Sequence, residues 1–176
     1  ATGADGNDTL KNIENINGSS GDDTLIGDDN ANYFDGGAGN DWLSGGQGDD
    51  VLNGYKDVDW ASYSDATSSV TVDLIAGTAT GGAGNDTLLD IENVQGSKFN
   101  DILKGNDGDN SLDGGAGSDA LKGGAGNDTL DGRQGKDTLT GGVGSDIFKF
   151  TVNGLADKIT DFNVIDDTIQ LENGIF

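Results

Sequence analysis

Residues 96–149 read GSKFNDILK-GNDGDNSLD-GGAGSDALK-GGAGNDTLD-GRQGKDTLT-GGVGSDIFK, and this stretch decides the fold. Each nonamer opens with Gly, and its eighth place holds a large apolar residue, Leu in every unit but the last, which has Phe148. The sixth place is Asp in every unit except one, where Asn110 stands instead. A unit of this size cannot bury a core alone, so the periodicity predicts a solenoid of stacked repeats.

The order of residue types within a nonamer predicts both a turn and a strand. Gly at places one, two and four permits sharp bends, so the first six residues are predicted to form a turn. The last three residues suffice for a short strand whose middle side chain points inward. Backbone carbonyls of the turn can face one point, to which the Asp adds a carboxylate. Oxygen ligands without Cys or His suit Ca²⁺, which accepts about six to eight oxygens in flexible geometry.

The composition limits which partners the chain can bind and which kinds of metal or catalytic site it can form. The chain has 176 residues, with 32 Asp plus Glu against 9 Lys plus Arg, a formal charge of −23. This balance argues against nucleic acid and anionic membranes and favours cations. Because the chain has no Cys and no His, disulfides, zinc sites and His-bearing triads are excluded. A disordered acidic tail is the alternative interpretation, which the constant register of Leu opposes.

No membrane span and no amino-terminal signal peptide can be recognised in the sequence. The chain starts inside a repeat, GADGNDTLK at 3–11, so we expect it to belong to a longer protein. Six residues (12–17) follow before four further nonamers fill 18–53. Gly54 is interpreted as the start of another unit that breaks off.

Residues 55–78 are interpreted as non-nonameric. Val70, Val72 and Leu74 alternate with polar residues there, which predicts a half-buried strand. Trp60 and Tyr63 are expected to pack over the end of the preceding repeats.

The pattern restarts at Gly81, which lies 78 residues after Gly3, as Gly96 lies 78 residues after Gly18. This spacing indicates a larger duplication that contains the small repeat. After Lys149 the Gly pattern stops, and alternating apolar residues predict strands that cap the open end of the solenoid. The predicted organisation is a first block (1–54), a non-repeat joint with a β-strand (55–80), a second block (81–149) and a capping segment (150–176).

The chain resembles the carboxy-terminal region of repeats-in-toxin (RTX) exoproteins, also called hemolysin-type calcium-binding proteins. GGAGNDTLL (81–89) and GGAGNDTLD (123–131) match their nonamer GGxGxDxUx fully. Residues 59–106 resemble a spacer common in large members of the family, and 157–171 resemble the segment close to their type I secretion signal. The resemblance implies an all-β fold, a right-handed parallel β-roll with two nonamers per turn.

The resemblance also implies a set of metal ligands for several Ca²⁺ ions. In that family each ion lies between nonamer n and nonamer n+2, held by sixth-place carboxylates and by carbonyls of the first and third places. The sixth-place residues carried over are Asp8, Asp23, Asp41, Asp50, Asp86, Asp101, Asp119, Asp128, Asp137 and Asp146. The carbonyls carried over belong to Gly36, Ala38, Gly45, Gln47, Gly114, Ala116, Gly123, Ala125, Gly132, Gln134, Gly141 and Val143.

Facing pairs follow from the same resemblance. The predicted pairs are Asp23 with Asp41, Asp101 with Asp119, Asp119 with Asp137, and Asp128 with Asp146. Asn32 and Asn110 face Asp50 and Asp128 and, being neutral, are expected to mark weaker sites. The units at 18–26 and 96–104 lack the second Gly, which also predicts altered sites. Asp8 and Asp86 precede the six-residue insertions, so their partners stay open.

The function predicted from these residues is a calcium-binding module that folds outside the cell. Facing carboxylates repel one another until Ca²⁺ binds, so folding is expected to await extracellular calcium after type I export from a Gram-negative cell. The alternative is an adhesive or carbohydrate-binding segment, in which Trp42 or Trp60 stacks on a glycan. No enzyme activity is expected, because acidic residues recur with the repeat and no unique pair stands out; any reaction would belong to the rest of the parent exoprotein.

Overall fold

A computed structural model describes residues 2–3, 6–7, 14–150 and 155–171, and within these ranges the chain contains strands and no helix. The all-β prediction is confirmed. Among the described residues there is consequently no helix long and apolar enough to cross a membrane. Asp8 and Val152 lie outside the described residues.

The strands are short, most of them two to six residues long. In chain order they are β1 (Thr2–Gly3), β2 (Gly6–Asn7), β3 (Asn15–Asn17), β4 (Thr24–Ile26), β5 (Tyr33–Ala38), β6 (Trp42–Ser44), β7 (Val51–Lys56), β8 (Trp60–Ser62), β9 (Val70–Asp73), β10 (Thr78–Gly81) and β11 (Gly84–Leu89). They continue with β12 (Asn93–Gln95), β13 (Ile102–Lys104), β14 (Ser111–Asp113), β15 (Ala116–Gly117), β16 (Ala120–Ala125), β17 (Thr129–Asp131), β18 (Gln134–Gly135), β19 (Thr138–Val143), β20 (Ile147–Phe150), β21 (Lys158–Ile159) and β22 (Thr168–Leu171).

Two long sheets form the body of the molecule, and the chain passes from one to the other at almost every strand. One sheet has ten strands, in the order β21-β19-β16-β13-β9-β10-β11-β7-β5-β3, and the other has eight, in the order β22-β20-β17-β14-β12-β8-β6-β4. Paired strands in the repeats are parallel and 18 residues apart, as in Leu112 beside Leu130. This register confirms the expected coil, a β-solenoid of about eight turns with two nonamers per turn.

The interior is a double row of eighth-place side chains, one row from each sheet. These side chains are almost inaccessible to solvent because each is covered by its neighbours along the row and by the opposite row. The buried eighth-place residues are Leu25, Phe34, Leu43, Leu52, Leu88, Leu103, Leu112, Leu121, Leu130, Leu139 and Phe148. The core is thus narrow and leaves the polar turns along both edges of the coil.

The coil continues through the joint in a form that the sequence interpretation missed. β8 pairs in parallel with β6, with Leu43 beside Ala61, so the same offset of 18 residues holds. Residues 54–62 (GYKDVDWAS) are therefore a nonamer with Ala61 in the eighth place, and the interpretation that regularity ends at Gly54 is wrong for them. Substitution of the second- and fourth-place Gly by Tyr55 and Asp57 hides this unit from the motif.

An antiparallel meander follows β8 and inserts two extra strands into the ten-stranded sheet. β10 is antiparallel to both β9 and β11. Val70 and Val72 on β9 are buried, which confirms the predicted strand. The first residues of the nonamer at 81–89 differ from the prediction: Gly81 pairs with Gly84 across a two-residue hairpin loop instead of forming a turn of the coil.

The carboxy-terminal strands extend the coil as predicted. β21 pairs with β19, placing Ile159 beside Leu139, and β22 pairs with β20, placing Ile169 beside Phe148. These strands cover the last rung of the repeats and supply partners for its backbone.

Candidate calcium sites

The sixth-place residues form a ladder of hydrogen bonds along each edge of the coil. The backbone N–H of one sixth-place residue donates to Oδ1 of the sixth-place Asp two nonamers later, because both groups face along the solenoid axis. The structure brings together the four predicted pairs, Asp23 with Asp41 (N to Oδ1, 2.8 Å), Asp101 with Asp119 (2.8 Å), Asp119 with Asp137 (2.9 Å) and Asp128 with Asp146 (2.9 Å). Asn32 and Asn110 donate in the same way to Asp50 and Asp128.

The second carboxylate oxygen divides the turns into two classes. Oδ2 of seven sixth-place residues is buried and accepts no hydrogen bond. These residues are Asp41, Asp50, Asp59, Asp119, Asp128, Asp137 and Asp146. We call their turns the open turns. A buried carboxylate oxygen without a partner loses its hydration and gains nothing in return, which is costly for a folded protein.

In four other turns, the backbone N–H of the second-place residue donates a hydrogen bond to the sixth-place side chain of the same turn. Ser19 N–H donates to Oδ2 of Asp23 at 2.7 Å, and Ser97 N–H donates to Oδ2 of Asp101 at 2.6 Å. The other two bonds join Asp28 N–H to Oδ1 of Asn32 (3.1 Å) and Asn106 N–H to Oδ1 of Asn110 (2.7 Å). We call these the capped turns.

Backbone conformation at the second place separates the two classes. In the open turns this residue has a positive φ, and in the capped turns none of the four second-place residues does. The open-turn residues and angles are Gly37 (101°), Gly46 (94°), Tyr55 (73°), Gly115 (88°), Gly124 (127°), Arg133 (62°) and Gly142 (111°). A second-place residue with positive φ leaves the carboxylate unbonded, which explains why the motif favours Gly there.

Burial and nearby negative charges both disfavour the ionised form of the open carboxylates, so binding of a cation there would be favourable. Burial raises the pKa of Asp119 to about 7, with further upward contributions from Asp137, Asp101 and Asp113. Burial is also the leading cause that raises the pKa of Asp50, Asp59, Asp128 and Asp137 to about 6 and that raises the pKa of Asp41 and Asp146. Among the residues that the structure describes, the charged groups that act on these carboxylates are all acidic, and none of them is a positive partner.

First-place glycines leave space in which two kinds of oxygen meet. A Cβ on Gly114 would lie 2.6 Å from Oδ2 of Asp119 and 3.1 Å from the carbonyl oxygen of Gly132. A Cβ on Gly123 would overlap Oδ2 of Asp128 and lie 2.6 Å from the carbonyl oxygen of Gly141. The first places at Gly36, Gly45, Gly132 and Gly141 are likewise filled by Oδ2 of their own Asp. A carboxylate and a carbonyl converging on one space are ligands that suit Ca²⁺.

The predicted third-place residues lie in the turns, where backbone bonds hold them. The N–H groups of Ala38, Gln47, Ala116, Ala125 and Gln134 donate to the second-place carbonyl two nonamers earlier, at 3.0 to 3.2 Å. The Val143 carbonyl accepts from Gly126 N–H at 2.9 Å, which leaves it one lone pair. Their role as metal ligands stays a prediction.

Sequence reasoning missed several residues that occupy the sixth place in the structure. Asp41 N–H donates to Oδ1 of Asp59 at 2.7 Å, and Asp59 N–H donates to Oε2 of Glu92 at 2.9 Å. At the carboxy-terminal end, Asp157 and Asp167 accept from Asp137 and Asp146. Each missed residue stands two places before an apolar residue that pairs in register with the row of eighth-place residues, and that spacing is the signal that finds them.

The structure also shows the hydrogen-bond partners of Asp86 and of the two sixth-place Asn residues. Asp86 accepts from the N–H of Asp50 at 3.0 Å, so its neighbour is Asp50 on the preceding rung. Asn110 Nδ2 donates to the backbone carbonyl of Glu92 on the preceding rung at 2.8 Å. Asn32 Nδ2 is buried without a partner. That both Asn residues mark weaker calcium sites stays a prediction.

Acidic side chains alone do not make the sites. Throughout the described ranges, no group of three or more acidic residues comes close enough to hold a metal. A calcium site here therefore takes one or two carboxylates and needs backbone carbonyls to complete its shell. The donors present in the open turns fit that description, and Asp41, Asp50, Asp119, Asp128, Asp137 and Asp146 are the repeat residues that would hold the ions.

The aromatic residues of the seventh place pack on each other. The rings of Trp42 and Trp60 stack with their centroids 5.3 Å apart, because β6 and β8 are neighbours in register. This contact joins adjacent turns of the coil.

Comparisons with known proteins agree with the repeat geometry. A family model described as the RTX calcium-binding nonapeptide repeat (4 copies) matches residues 12–43, 26–61, 76–89, 90–121 and 113–148, together more than half of the chain. The comparison with curated proteins gives no significant match. One matching solved structure is the extracellular lipase LipA from Serratia marcescens, with a TM-score of 0.39 and 22% identity over 93% of this chain and 33% of that one. The present chain thus spans about one third of the lipase chain. On the strength of the repeat matches and the coil that they form, the chain belongs to the RTX family of calcium-binding nonapeptide-repeat proteins.

Proposed function

We propose that this chain is a calcium-dependent folding module of a larger secreted protein, exported in the unfolded state and folded by extracellular Ca²⁺. The observation that carries the proposal is the set of seven buried Oδ2 atoms without a hydrogen bond in the open turns. The module folds only when a cation neutralises them, and the proposal assigns it no catalytic reaction.

The energetic argument starts from the narrow core. Each rung buries about one large side chain per strand, whereas every residue of a short strand or turn loses backbone entropy of about 1–2 kcal/mol on folding. A buried polar group without a partner costs a further amount of about 1–3 kcal/mol, and more if it is charged. Calcium reverses the last contribution, so binding free energy becomes folding free energy.

Export follows from this conditional stability. Calcium modules outside cells bind at roughly 10⁻⁴–10⁻³ M, a concentration far above that of free calcium in the cytosol. A chain with this affinity stays unfolded during synthesis and can thread a type I export channel. Folding on the outer side then opposes its return.

The test is a calcium titration of the purified chain followed by far-UV circular dichroism, with magnesium as the matched control. The expected result is a cooperative coil-to-β transition in the millimolar range of calcium, absent with magnesium, which demands smaller octahedral sites. A chain that is fully folded in chelator would contradict the proposal, since the open carboxylates would then be tolerated without metal.

The adhesive alternative has no observation that favours it. Trp42 and Trp60, the residues expected to stack on a sugar, stack on one another. Glycan binding stays a prediction.

A further inference from the structure

The joint between the two runs of repeats combines two segments that both depart from the calcium motif. Residues 54–62 carry Tyr55, Lys56 and Asp57 where the motif has Gly, any residue and Gly. Residues 90–95 (DIENVQ) replace a nonamer with six residues. β8 and β12, which form the last three residues of these segments, are nevertheless paired in parallel, with Ala61 beside Val94.

An unbonded carboxylate lies between these two segments. Asp59 is 0% exposed, and its Oδ1 accepts the N–H of Asp41. Its Oδ2 is buried and has no hydrogen-bond partner. The backbone N–H of Asp59 donates to Oε2 of Glu92, which brings a second acidic side chain to the same rung.

A backbone carbonyl faces the same space. A Cβ on Gly54 would overlap both Oδ2 of Asp59 and the carbonyl oxygen of Asp90. The two oxygens therefore converge on the point that Gly54 leaves free. This is the same arrangement of carboxylate and carbonyl as in the repeats, built here from a residue of one segment and a backbone group of the other.

From this convergence, we propose that the joint holds a further site for a hard divalent cation, Ca²⁺ above all, with Asp59, Glu92 and the Asp90 carbonyl as its protein ligands. All three donors are oxygens, as such cations prefer. The negative groups nearest Asp59 are Asp41, Glu92 and Asp57, and these together with burial raise the pKa of its carboxyl. A cation is the partner that compensates them.

The site has a consequence that the repeat sites do not share. An ion bound within the repeats joins rungs 18 residues apart, whereas this ion joins Asp59 to Asp90 and Glu92 across the whole antiparallel meander. It closes a loop of about 30 residues whose ordering otherwise costs chain entropy. The joint ion therefore couples folding of the repeats before the meander to folding of those after it.

A cavity of about 230 Å³ lies beside two of the proposed ligand residues, Asp90 and Glu92. Leu74, Leu88, Ile91 and Asn106 complete its lining.

The experiment counts bound calcium ions by native mass spectrometry in saturating calcium, for the wild type, Asp59→Asn, Glu92→Gln and the control Asp65→Asn. Asp59→Asn keeps the acceptor for Asp41 N–H, and Glu92→Gln keeps the acceptor for Asp59 N–H. Asp65 is an exposed carboxylate of the same joint, so its substitution makes the same change in charge away from the site. Circular dichroism in saturating calcium checks that each variant is folded.

A second readout is local to the joint, because the only two Trp residues of the chain stand beside the sixth-place residues Asp41 and Asp59. Trp fluorescence during the titration reports this rung, and terbium luminescence excited through Trp reports an ion bound near it.

The expected result is the loss of one ion from Asp59→Asn, a weakened or lost ion in Glu92→Gln, and a weaker terbium signal in both, with Asp65→Asn unchanged. An equal ion count and an equal terbium signal in all four proteins would overturn the joint site while leaving the repeat sites intact. If Asp59→Asn fails to fold, Glu92→Gln decides by the same criteria. A wild type that binds no calcium would overturn this proposal together with the proposed function.

Discussion

The open and capped turns stack in the same coil and differ at the second place, in its φ and in the hydrogen bond that its N–H donates to the sixth-place side chain. In the turn ending at Asp101, the N–H and Oγ of Ser97 both bond the carboxylate, so the fold satisfies it without metal. In the next turn along that edge, Gly115 has a φ of 88°, and Oδ2 of Asp119 is left buried without a partner. In the open turns, the second-place N–H does not donate to the sixth-place carboxylate, although the capped turns show that the coil can make this bond. The unbonded carboxylate oxygen is therefore available to a cation.

The largest expected effect is that of pH on the chain in chelator, because it acts on all open turns together. Burial raises the pKa of Asp119 to about 7 and the pKa of Asp50, Asp59, Asp128 and Asp137 to about 6, against an ordinary value of 3.8 for each. The folded state therefore binds protons more tightly than the unfolded chain, and its stability is greatest below the unfolded pKa and is lost as pH rises through 6 to 7.

We therefore expect acidification from neutral pH towards about pH 4.5 to increase β structure in chelator, measured by circular dichroism. In calcium the sign reverses, since protons compete for the same oxygens, so the calcium midpoint should rise as pH falls. A chelated chain whose β content falls on acidification through this range would show that the open carboxylates are not the groups that oppose folding.

The next largest effect on calcium binding is expected when one carboxylate charge is removed, first from an open turn and then from a capped turn. Asp119→Asn retains the acceptor for Asp101 N–H, and its new amide group takes the place of Oδ2 at the space that the Gly132 carbonyl also faces. It should lose one calcium ion and raise the calcium midpoint, yet stabilise the chain in chelator, because a buried charge without a partner is gone.

Asp101→Asn is the matched substitution in a capped turn. There the carboxylate is already bonded, so the ion count should stay unchanged and the chain should lose a little stability through weaker bonds from Ser97. Isothermal calorimetry counts the bound ions, and the concentration of a stabilising osmolyte needed to fold each chain in chelator compares their stabilities. Equal losses of calcium in the two variants would mean that second-place conformation does not govern binding.

Much of this arrangement could be predicted from the sequence, because the repeat period sets the register of the coil. The eighth-place Leu residues follow from counting in nines, and the sixth-place pairs are what the resemblance to RTX proteins implies. Weaker sites at Asn32 and Asn110 stay a prediction. The nonamer at 54–62 could not be found by its Gly residues, since Tyr55 and Asp57 adopt φ of 73° and 76° in their places. Counting back from Ala61 recovers Asp59, but only pairing with β6 shows that Ala61 points inward.

The hairpin at 81–84 escaped prediction for a different reason. GGAG serves equally as a calcium turn and as a two-residue hairpin loop, so local sequence does not decide between them. The preceding strands β9 and β10 decide, because they give β11 an antiparallel neighbour. Tertiary context thus overrode a motif match that is complete by sequence.

Converting a capped turn into an open one tests whether the conformation of the second place is enough to create a calcium site. Ser97→Gly removes the two Oγ bonds to Asp101 and allows a positive φ at the second place. In chelator we expect a loss of about 1 kcal/mol in the free energy of unfolding. In calcium we expect an ion bound at Asp101 and a lower calcium midpoint, measured by mass spectrometry and circular dichroism. Ser19→Gly repeats the test at Asp23, and an unchanged ion count in both variants would show that positive φ alone does not create a site.

The smallest expected effect concerns the cost of positive φ at the open turn of the joint. Tyr55 has a φ of 73° and is 55% exposed, so it occupies a strained conformation with little packing in return. Tyr55→Gly should relieve this strain, which costs about 1–2 kcal/mol for a residue with a Cβ, while Gly gives back part of the gain through its greater entropy when unfolded. We expect a net increase of about 0.5–1 kcal/mol in the free energy of unfolding in saturating calcium, measured by urea titration. Tyr33→Gly is the matched control, since Tyr33 is also an exposed strand residue but has no positive φ that Gly could relieve, so that Gly only destabilises there. If Tyr55→Gly destabilised the chain as much as Tyr33→Gly, the Tyr55 side chain would stabilise the turn by more than its positive φ costs. The difference between open and capped turns would then depend on more than φ.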